Sequence, residues 1–381
     1  MEWKEVDICQ LCDSVSETYK GNASEVVLIN TSDVLDGKCL NHEYVPNKNL
    51  KGQFKKTFRK GDILYSEIRP ANKRFCFVDF EPKDYIASTK LMVLRVHEDV
   101  DPQYLYQILR SNDTLAQLQM LAESRSGTFP QITYSELSNI MVNLPSQKAQ
   151  KNIVSILSSL DRKIELNNKI NADLEEMAQA IFKNWFVDFE PFKDGKFVNS
   201  ELGMIPEGWK VGTLGELCNF KRGKNLLTKN AIDEGVPVVA GGLEPSCYHN
   251  VANTGAPVIT VSGSGANAGF MRMYHVPVWA SDCSFIDISC ENFYFVYCFL
   301  KVNSKLLKHA QTGAVQPHVK PSDIHDFELV LPDKKSIYDF QDKVKPFFDK
   351  IASIQKENSR LSILRDTLLP RLMSGELEVP E

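Results

Sequence analysis

The residues of this sequence best suited to chemistry are basic side chains that occur in runs without an acidic neighbour. Lysine and arginine bind phosphates, arginine also pairs with guanine, and asparagine pairs with adenine. One such run occurs in each half, at 48–60 and at 221–229, and this recurrence favours nucleic-acid binding over an ordinary solvated surface. With the loops described below, the candidate contacts are Lys51, Lys55, Arg59, Arg69, Asn72, Lys73, Arg74, Arg125, Thr128, Lys221, Arg222, Lys224, Ser264, Asn267 and Thr312.

No arrangement of residues predicts a catalytic or metal site. Cys9 and Cys12 form a single C-x-x-C pair, and no second pair follows at the spacing of a zinc site. Cys12 has a counterpart in the second half, Cys218, at a position patterned like core. We therefore predict that Cys12 and Cys218 are buried packing residues, and we expect a chain without catalysis, cofactor or metal of its own.

Two pairs of loops are predicted to face a ligand. The glycine-rich loop 262–269 lacks the dinucleotide-binding pattern and aligns with the basic loop 67–74, on a shared Ala-Asn pair that is followed by Phe75 in one half and Phe270 in the other. Both loops are predicted to be hairpin tips. The second pair of loops is 124–131 and 311–318. Their small polar residues would let the backbone approach a DNA strand, and a tight turn between a helix and a strand is the alternative.

Composition sets the remaining limits. The 381 residues should form two or three domains, with 43% apolar and 24% charged residues. The sequence lacks a secretion signal, a membrane span of ~20 apolar residues, and a disulfide framework among its nine cysteines, so we expect a cytoplasmic protein without membrane contact. The net charge of −5 argues mildly against nucleic acid, but the acidic residues collect at 161–201, away from the basic runs.

The chain is a tandem duplication. The segment 127–188 returns as 313–375, and from Pro130 and Pro317 onward the copies align without a gap. The openings also match, with Trp3 corresponding to Trp209. Matched residues lie 206 positions apart at the openings and 187 positions apart from Pro130 onward. The first globular part is therefore 19 residues longer than the second. A repeat of this length is a duplicated domain rather than a solenoid or propeller unit.

Each globular part is predicted to contain short strands and a few helices. The predicted strands are Val26–Asn30, Asp62–Ser66, Phe75–Phe80, Lys90–Val96, Pro257–Val261, Phe270–Tyr274 and Ser284–Ser289. The predicted helices of the globular parts are Asp101–Ala122 and Phe293–Leu307.

Two long helices follow the globular parts. The first covers Lys148–Phe186, with apolar residues spaced alternately by three and four, and the second repeats this pattern 187 residues later. Antiparallel pairing of the two is predicted, with Asn171 and Asn358 at a shared polar seam position, and independent docking on their own domains is the alternative. Pro346 allows a late start of the second helix. The predicted seam consists of Leu157, Leu160, Ile164, Asn171, Leu174, Ile181, Val344, Phe347, Ile351, Asn358, Leu361 and Leu368.

The whole chain resembles the specificity subunit of Type I restriction-modification enzymes. The resemblance is carried by the domain openings, 1–12 and 205–210, by the block 144–192 and by LLPRLMSGEL at 368–377. It implies an α+β fold with two target recognition domains joined by two antiparallel helices in a coiled coil. The implied division is recognition domain 1 at 1–145, a helical spacer at 146–195, recognition domain 2 at 196–332 and a second spacer at 333–381.

The resemblance also implies partners. Each recognition domain would read half of a gapped site in double-stranded DNA, and the helices would dock two copies of an adenine-N6 methyltransferase subunit. A restriction and translocase subunit would join them. S-adenosylmethionine, ATP and Mg would be bound by these partners only. The rings of Trp185, Phe186, Phe189 and Phe192 would anchor a partner or pack on the neighbouring domain. The alternatives are a related system with a fused modification and cleavage partner, and a coiled-coil adaptor that binds proteins.

Overall fold

The computed structural model describes residues 3–48, 52–124, 130–311 and 317–379. The chain forms two compact units: unit 1 comprises 1–165 with 358–381, and unit 2 comprises 166–357. Each unit contains one globular part and a portion of both long helices. The segments predicted from the sequence separate globular parts from helices instead, and their assignment as recognition domains and spacers stays a prediction.

Unit 1 begins with short strands, continues into the start of the first long helix and also contains the end of the second long helix. Its elements are β1 (Lys4–Asp7), β2 (Cys12–Val15), β3 (Glu25–Ile29), β4 (Val34–Leu35), β5 (Lys38–Cys39), β6 (Tyr44–Pro46), β7 (Phe54–Lys56), β8 (Ile63–Ser66), β9 (Phe75–Phe77), β10 (Tyr85–Ser88), β11 (Leu91–Val96), α1 (Pro102–Leu109), α2 (Asn112–Ser124), α3 (Tyr134–Ser138), β12 (Met141–Leu144) and the start of α4 (Gln147–Phe186).

Unit 2 takes the rest of α4 and repeats this order. Its further elements are β13 (Phe197–Ser200), β14 (Gly203–Pro206), β15 (Lys210–Thr213), β16 (Lys221–Arg222), β17 (Val236–Val239), β18 (Cys247–His249), β19 (Val258–Ser262), β20 (Met271–Tyr274), β21 (Trp279–Ala280), β22 (Cys283–Asp287), α5 (Phe293–Val302), α6 (Ser304–His309), α7 (Pro321–His325), β23 (Glu328–Leu331) and the start of α8 (Lys334–Met373).

The sheets confirm the duplication. A four-stranded antiparallel sheet has the order β2-β11-β8-β9 in unit 1 and β16-β22-β19-β20 in unit 2. A second sheet pairs β3 with β10 in parallel in unit 1, as β17 pairs with β21 in unit 2. Strand β7 extends this second sheet in unit 1 and has no counterpart among the described strands of unit 2. The longer first half therefore adds an edge strand that carries part of the first basic run.

The predicted strands are confirmed, but each predicted helix of the globular parts is two helices. The segment 101–122 is broken after α1, and Ser111 hydroxyl oxygen accepts a hydrogen bond from the Thr114 N–H at 3.2 Å. The segment 293–307 is broken at Asn303, between α5 and α6. Serine and asparagine bond to nearby backbone groups and so favour helix caps over helix interiors. The sequence analysis missed both breaks because the apolar repeat continues on either side of them.

Both long helices are confirmed. In unit 2 they run antiparallel, because Asn167 contacts Glu357 whereas Phe182, later in α4, contacts Phe340, earlier in α8. The late start at Pro346 is wrong, since α8 begins at Lys334. None of the described helices is both long and apolar enough to cross a membrane.

Each long helix packs on a globular part as well as on the other long helix. In unit 1 the core includes Leu157 of α4 and Leu372 of α8, and in unit 2 it includes Ala178 and Phe182 of α4 and Val344 of α8. Both alternatives for the helices therefore hold in part. A helix that packs on both a globular part and another helix needs a wider apolar face than the narrow seam of a coiled coil, which uses two positions of every seven.

The residues of the predicted seam differ in burial. Its buried members are Leu157, Val344 and Ile351, and its half-buried members are Leu160, Ile164, Asn171, Leu174, Ile181, Phe347, Asn358, Leu361 and Leu368. The polar seam position of Asn171 and Asn358 stays a prediction, and a further asparagine of α4 is more deeply buried than either. Asn167 is the deeply buried asparagine, 1% exposed, and its amide donates to Glu357 Oε2 at 2.9 Å.

The start of α8 has a side-chain cap that yields a prediction. Asp333 accepts hydrogen bonds from the Ser336 N–H at 2.9 Å, from the Ser336 hydroxyl at 2.7 Å and from Trp209 Nε1 at 3.0 Å. Partial burial acts to raise the pKa of Asp333, but the hydrogen bonds from Ser336 and Trp209 outweigh it and leave the pKa below its usual value.

Asp333→Ala is expected to lower the free energy of unfolding by about 1 kcal/mol at pH 7. Because the folded pKa lies below the unfolded one, the carboxylate stabilises fully above about pH 4, and this contribution disappears as the pH falls through the folded pKa. Urea unfolding at pH 7 and at pH 3 measures both effects. Asp342→Ala, an exposed carboxylate further along α8, is the control. Equal losses in the two variants would contradict the capping role.

Candidate nucleic-acid interface

The two predicted hairpin tips are confirmed and occupy equivalent places. Residues 67–74 join β8 to β9, and residues 263–270 join β19 to β20. In unit 1 the Arg69 N–H donates to the Pro130 carbonyl at 3.0 Å, and in unit 2 the Gly265 N–H donates to the Pro317 carbonyl at 3.1 Å. Each tip is therefore hydrogen-bonded to a proline near the end of the other candidate loop of its unit, 124–131 in unit 1 and 311–318 in unit 2. The candidates that fall outside the described residues are Lys51, Arg125, Thr128 and Thr312.

The alignment of the two tips is wrong by one residue. Tyr65 pairs with Phe75 in unit 1, and the equivalent pair in unit 2 is Val261 with Met271. The counterpart of Phe75 is therefore Met271 and not Phe270. Burial agrees, since Phe75 is 1% exposed in the core and Phe270 is 39% exposed. Strand pairing sets this register, because a shift of one residue would turn each side chain to the other face of the sheet.

The first tip presents most of its predicted contacts outward. Arg69, Asn72 and Lys73 are exposed, and both Arg69 and Lys73 adopt positive φ, 45° and 53°. Such angles are uncommon outside glycine and cluster at functional sites. Arg74 differs, since it is half-buried and its Nη1 donates to the Ser32 carbonyl at 3.0 Å. Arg74 therefore holds the tip to the domain, whatever else it contacts.

The first basic run divides in the same way. Lys55 and Arg59 are exposed, as predicted for nucleic-acid contacts. Lys56 is half-buried and donates from Nζ to the Leu91 carbonyl at 2.8 Å, and burial lowers the pKa of this lysine. The sequence reasoning did not single out Lys90. Its Nζ lies 3.3 Å from Glu67 Oε2 at the foot of the tip.

The second tip is held by an acid that the sequence reasoning also missed. Arg222 forms an ion pair with Asp282, and the Ser264 hydroxyl bonds to the other oxygen of the same carboxylate. Lys221 and Lys224 are exposed beside this group. Asn267, a candidate DNA contact, is half-buried, and its Nδ2 lies 3.4 Å from the Gly241 carbonyl.

The aromatic residues after α4 pack inside unit 2. Phe186 is buried, and Trp185, Phe189 and Phe192 are half-buried against the same core. The centroids of the Phe192 and Trp209 rings lie 4.8 Å apart. Of the two alternatives, packing on the neighbouring domain therefore describes these rings. Their proximity to the core could not be read from the sequence, which shows only that they are apolar.

The cysteine prediction is confirmed. Cys12 and Cys218 are buried in the cores of units 1 and 2. Burial raises the pKa of Cys12 to about 12 and also raises the pKa of Cys218. A thiol that stays protonated is a poor nucleophile and a poor metal ligand. These two residues therefore stabilise the fold by packing.

Neutralising the exposed charges of the first tip, in Arg69→Gln with Lys73→Gln, is expected to weaken binding of double-stranded DNA. The slope of log K against log[salt] should become shallower by up to about two, because each phosphate contact contributes about 0.9. Fluorescence anisotropy over a salt series measures this slope. Arg74→Gln is the matched control and should lower thermal stability with a smaller change in slope. An unchanged slope in the double variant would remove Arg69 and Lys73 from the interface.

Comparison with known proteins gives one consistent family. The model of the Type I restriction modification DNA specificity domain matches residues 2–176 and again 206–361. The Type I restriction enzyme HindI specificity subunit of Haemophilus influenzae is 33% identical over 99% of this chain and 100% of its own length. The MjaIX specificity subunit of Methanocaldococcus jannaschii is 29% identical over 88% of this chain and 82% of its own.

A solved structure shows the same fold. The crystal structure of the Type I restriction-modification system S subunit from M. genitalium matches with a TM-score of 0.54 and 19% identity, over 100% of this chain and 97% of that one. The α+β architecture predicted from the sequence is therefore confirmed. The two matches to the family model fall one on each half of the duplication. The chain belongs to the family of Type I restriction-modification DNA specificity subunits.

Proposed function

We propose that this chain is the non-catalytic DNA-recognition subunit of a Type I restriction-modification complex. The globular part of each unit binds one half of a bipartite site in double-stranded DNA. The long helices dock two adenine-N6 methyltransferase subunits, and restriction and translocase subunits complete the assembly. S-adenosylmethionine, ATP and Mg belong to those partners.

One observation carries this proposal: the same sheet and hairpin tip occur twice with different polar side chains. Leu91 pairs with Ser66 and Cys283 pairs with Ser262, so the preceding residues, Lys90 and Asp282, occupy equivalent positions. A shared backbone with opposite charges at one position is expected of two readers of different base sequences. Two copies of a structural module would need no such divergence.

The basic surface supports the first unit as a DNA reader. Strand β7 places Lys55 on an exposed edge, and Arg59 follows it with a side chain that is 67% exposed. Exposed positive charge provides the salt-dependent part of DNA affinity, and the Arg59 side chain stays exposed although its Nε lies 4.0 Å from Asp62 Oδ1. Two linked half-site readers also gain affinity by effective concentration, so neither needs to bind tightly alone.

Methylome sequencing tests the proposal. Cells that express this chain with its active methyltransferase partner are compared with cells that express the methyltransferase alone. We expect a new methyladenine motif of two short half-sites with a constant gap. Identical methylation in both samples, with a partner shown to bind this chain, would contradict DNA recognition and support a protein-binding adaptor. Cleavage assays with the same partner then distinguish separate restriction subunits from a fused modification and cleavage partner.

A further inference from the structure

Arg222 lies beside the second hairpin tip in a cradle built from residues far from it in sequence. It belongs to strand β16, at the edge of the four-stranded sheet of unit 2, and pairs with Ser284 of β22. Its side chain is 46% exposed, whereas Asp282, its ion-pair partner, is 30% exposed. The guanidinium is thus held on one side and open to solvent on the other.

The tip contributes the rest of the cradle. A Cβ atom added to Gly263 would lie 2.5 Å from Arg222 Nη1 and 3.1 Å from its Cζ, so the guanidinium packs against the backbone of the tip. The Gly263 N–H donates to the Asp282 carbonyl at 3.1 Å, and the Ser264 hydroxyl bonds to the Asp282 carboxylate. Asp282 therefore links Arg222 to the tip, and any side chain at position 263 would displace the guanidinium.

The chemistry of this group favours a base over a phosphate. Asp282 neutralises the charge of Arg222, which removes much of the attraction to the DNA backbone. A guanidinium carries five N–H donors in a rigid fork, and Asp282 engages Nη2, so directional donors remain on a side chain that is already oriented. The acceptors that match such a fork are O6 and N7 on the major-groove edge of guanine.

The equivalent position in unit 1 has the opposite arrangement. In unit 1 the basic side chain of Lys90 occupies the position of Asp282, and the acidic side chain of Glu67 occupies the position of Gly263. The scaffold is conserved within the chain while the charged group at the tip differs. Variation confined to a side-chain cluster on a duplicated scaffold is the pattern that different half-site sequences require.

We propose that Arg222 reads a guanine in the half-site bound by unit 2, and that Asp282 and Gly263 are positioning residues that orient it. This assignment rests on the proposed function. Loss of Arg222 removes one specified guanine from the motif and leaves the other half-site intact. Loss of Asp282 releases the guanidinium, which lowers base discrimination and leaves an uncompensated charge that DNA phosphates attract.

The test uses the full chain with its active methyltransferase partner. Methylomes are compared for wild type, Arg222→Ala, Arg222→Lys and Asp282→Asn. Arg272→Ala is the matched control, since Arg272 forms an exposed ion pair with Glu244 in the same unit, 3.0 Å long. Circular dichroism establishes that each variant is folded. If Arg222→Ala does not fold, the more conservative Arg222→Lys still tests the role of Arg222.

Arg222→Ala is expected to reduce discrimination at one guanine by about 10- to 100-fold. The opposite half-site and the gap should not change, and Arg272→Ala should retain the wild-type motif. Asp282→Asn should relax the same position and steepen the salt slope of binding by about one phosphate contact. A merely structural role of Asp282 would not change that slope.

Three results overturn the inference in different ways. If wild type yields a bipartite motif and folded Arg222→Ala and Arg222→Lys keep it unchanged, Arg222 does not read a base, while the proposed function stands. If the Arg222 variants weaken all sites equally and the salt slope becomes shallower, the residue contacts phosphate instead. A wild-type chain that directs no motif with an active, bound partner overturns the proposed function together with this inference.

Discussion

Replacing Phe340 with alanine is expected to lower the free energy of unfolding of unit 2 by about 3–5 kcal/mol. Phe340 is fully buried, and its ring contacts Phe182, Phe186 and Trp185 at centroid distances of 5.7, 5.2 and 6.3 Å. These contacts join α8 to α4 inside the core of unit 2. Removal of the ring loses the transfer free energy of a large apolar side chain and leaves a cavity that rigid neighbours do not fill.

Thermal unfolding followed by circular dichroism measures the effect. A domain of this size loses about 2–4 °C in Tm per kcal/mol, so we expect a fall of about 10 °C. Met177→Ala is the matched control, because Met177 lies on α4 in the same unit and is 49% exposed. Its expected change is within about 0.5 kcal/mol. Similar small shifts in both variants would show that the ring cluster does not stabilise unit 2.

Replacing Asp62 with alanine is expected to lower the free energy of unfolding by about 2–4 kcal/mol. Asp62 is 2% exposed and accepts two hydrogen bonds from Arg95, at 3.0 Å from Nε and at 2.8 Å from Nη2. Removal of the Asp62 carboxylate leaves the Arg95 guanidinium, which is only 19% exposed, without this ion-pair partner. The expected effect is below that of a fully buried pair because Glu17, 2.8 Å from Arg95 Nη1, still balances part of the charge.

Urea unfolding of a double-mutant cycle isolates this pair. Asp62→Ala combined with Arg95→Met should recover part of the loss, because the second change removes the stranded charge. Arg59→Ala is the control, since Arg59 lies 4.0 Å from the same carboxylate with a side chain that is 67% exposed. It should cost less than about 1 kcal/mol. Strictly additive losses in the cycle would mean that Asp62 and Arg95 do not stabilise each other.

The features that the sequence predicted correctly depend on local patterns. The first long helix was predicted at Lys148–Phe186 and occupies Gln147–Phe186, because a 3.6-residue apolar repeat over 40 residues has no competing interpretation. The hairpin tips were predicted because the glycine-rich loop lacks the dinucleotide-binding pattern and aligns with a basic loop in the other half. The duplication then transferred each assignment from one half to the other.

The features that the sequence did not reveal concern how an element meets more than one neighbour. Asn171 and Asn358 match in the repeat and are predicted at the polar seam, but the repeat did not single out Asn167, the most deeply buried asparagine of the long helices. Periodicity shows which face of a helix is apolar. It does not show which residue of that face meets the other helix and which meets the globular part, because both surfaces contribute to one broad stripe.

The sequence by itself determined the duplication and the two long helices, since these need only period and matched blocks, and its resemblance to a known family indicated the α+β class. Tertiary structure alone decided the pairing of Arg222 with Asp282, the burial of Trp185 and its neighbours, and the register of the two tips. The physical reason is that strand register and side-chain contacts join residues tens of positions apart. Their free energy depends on atoms that only the folded chain brings together.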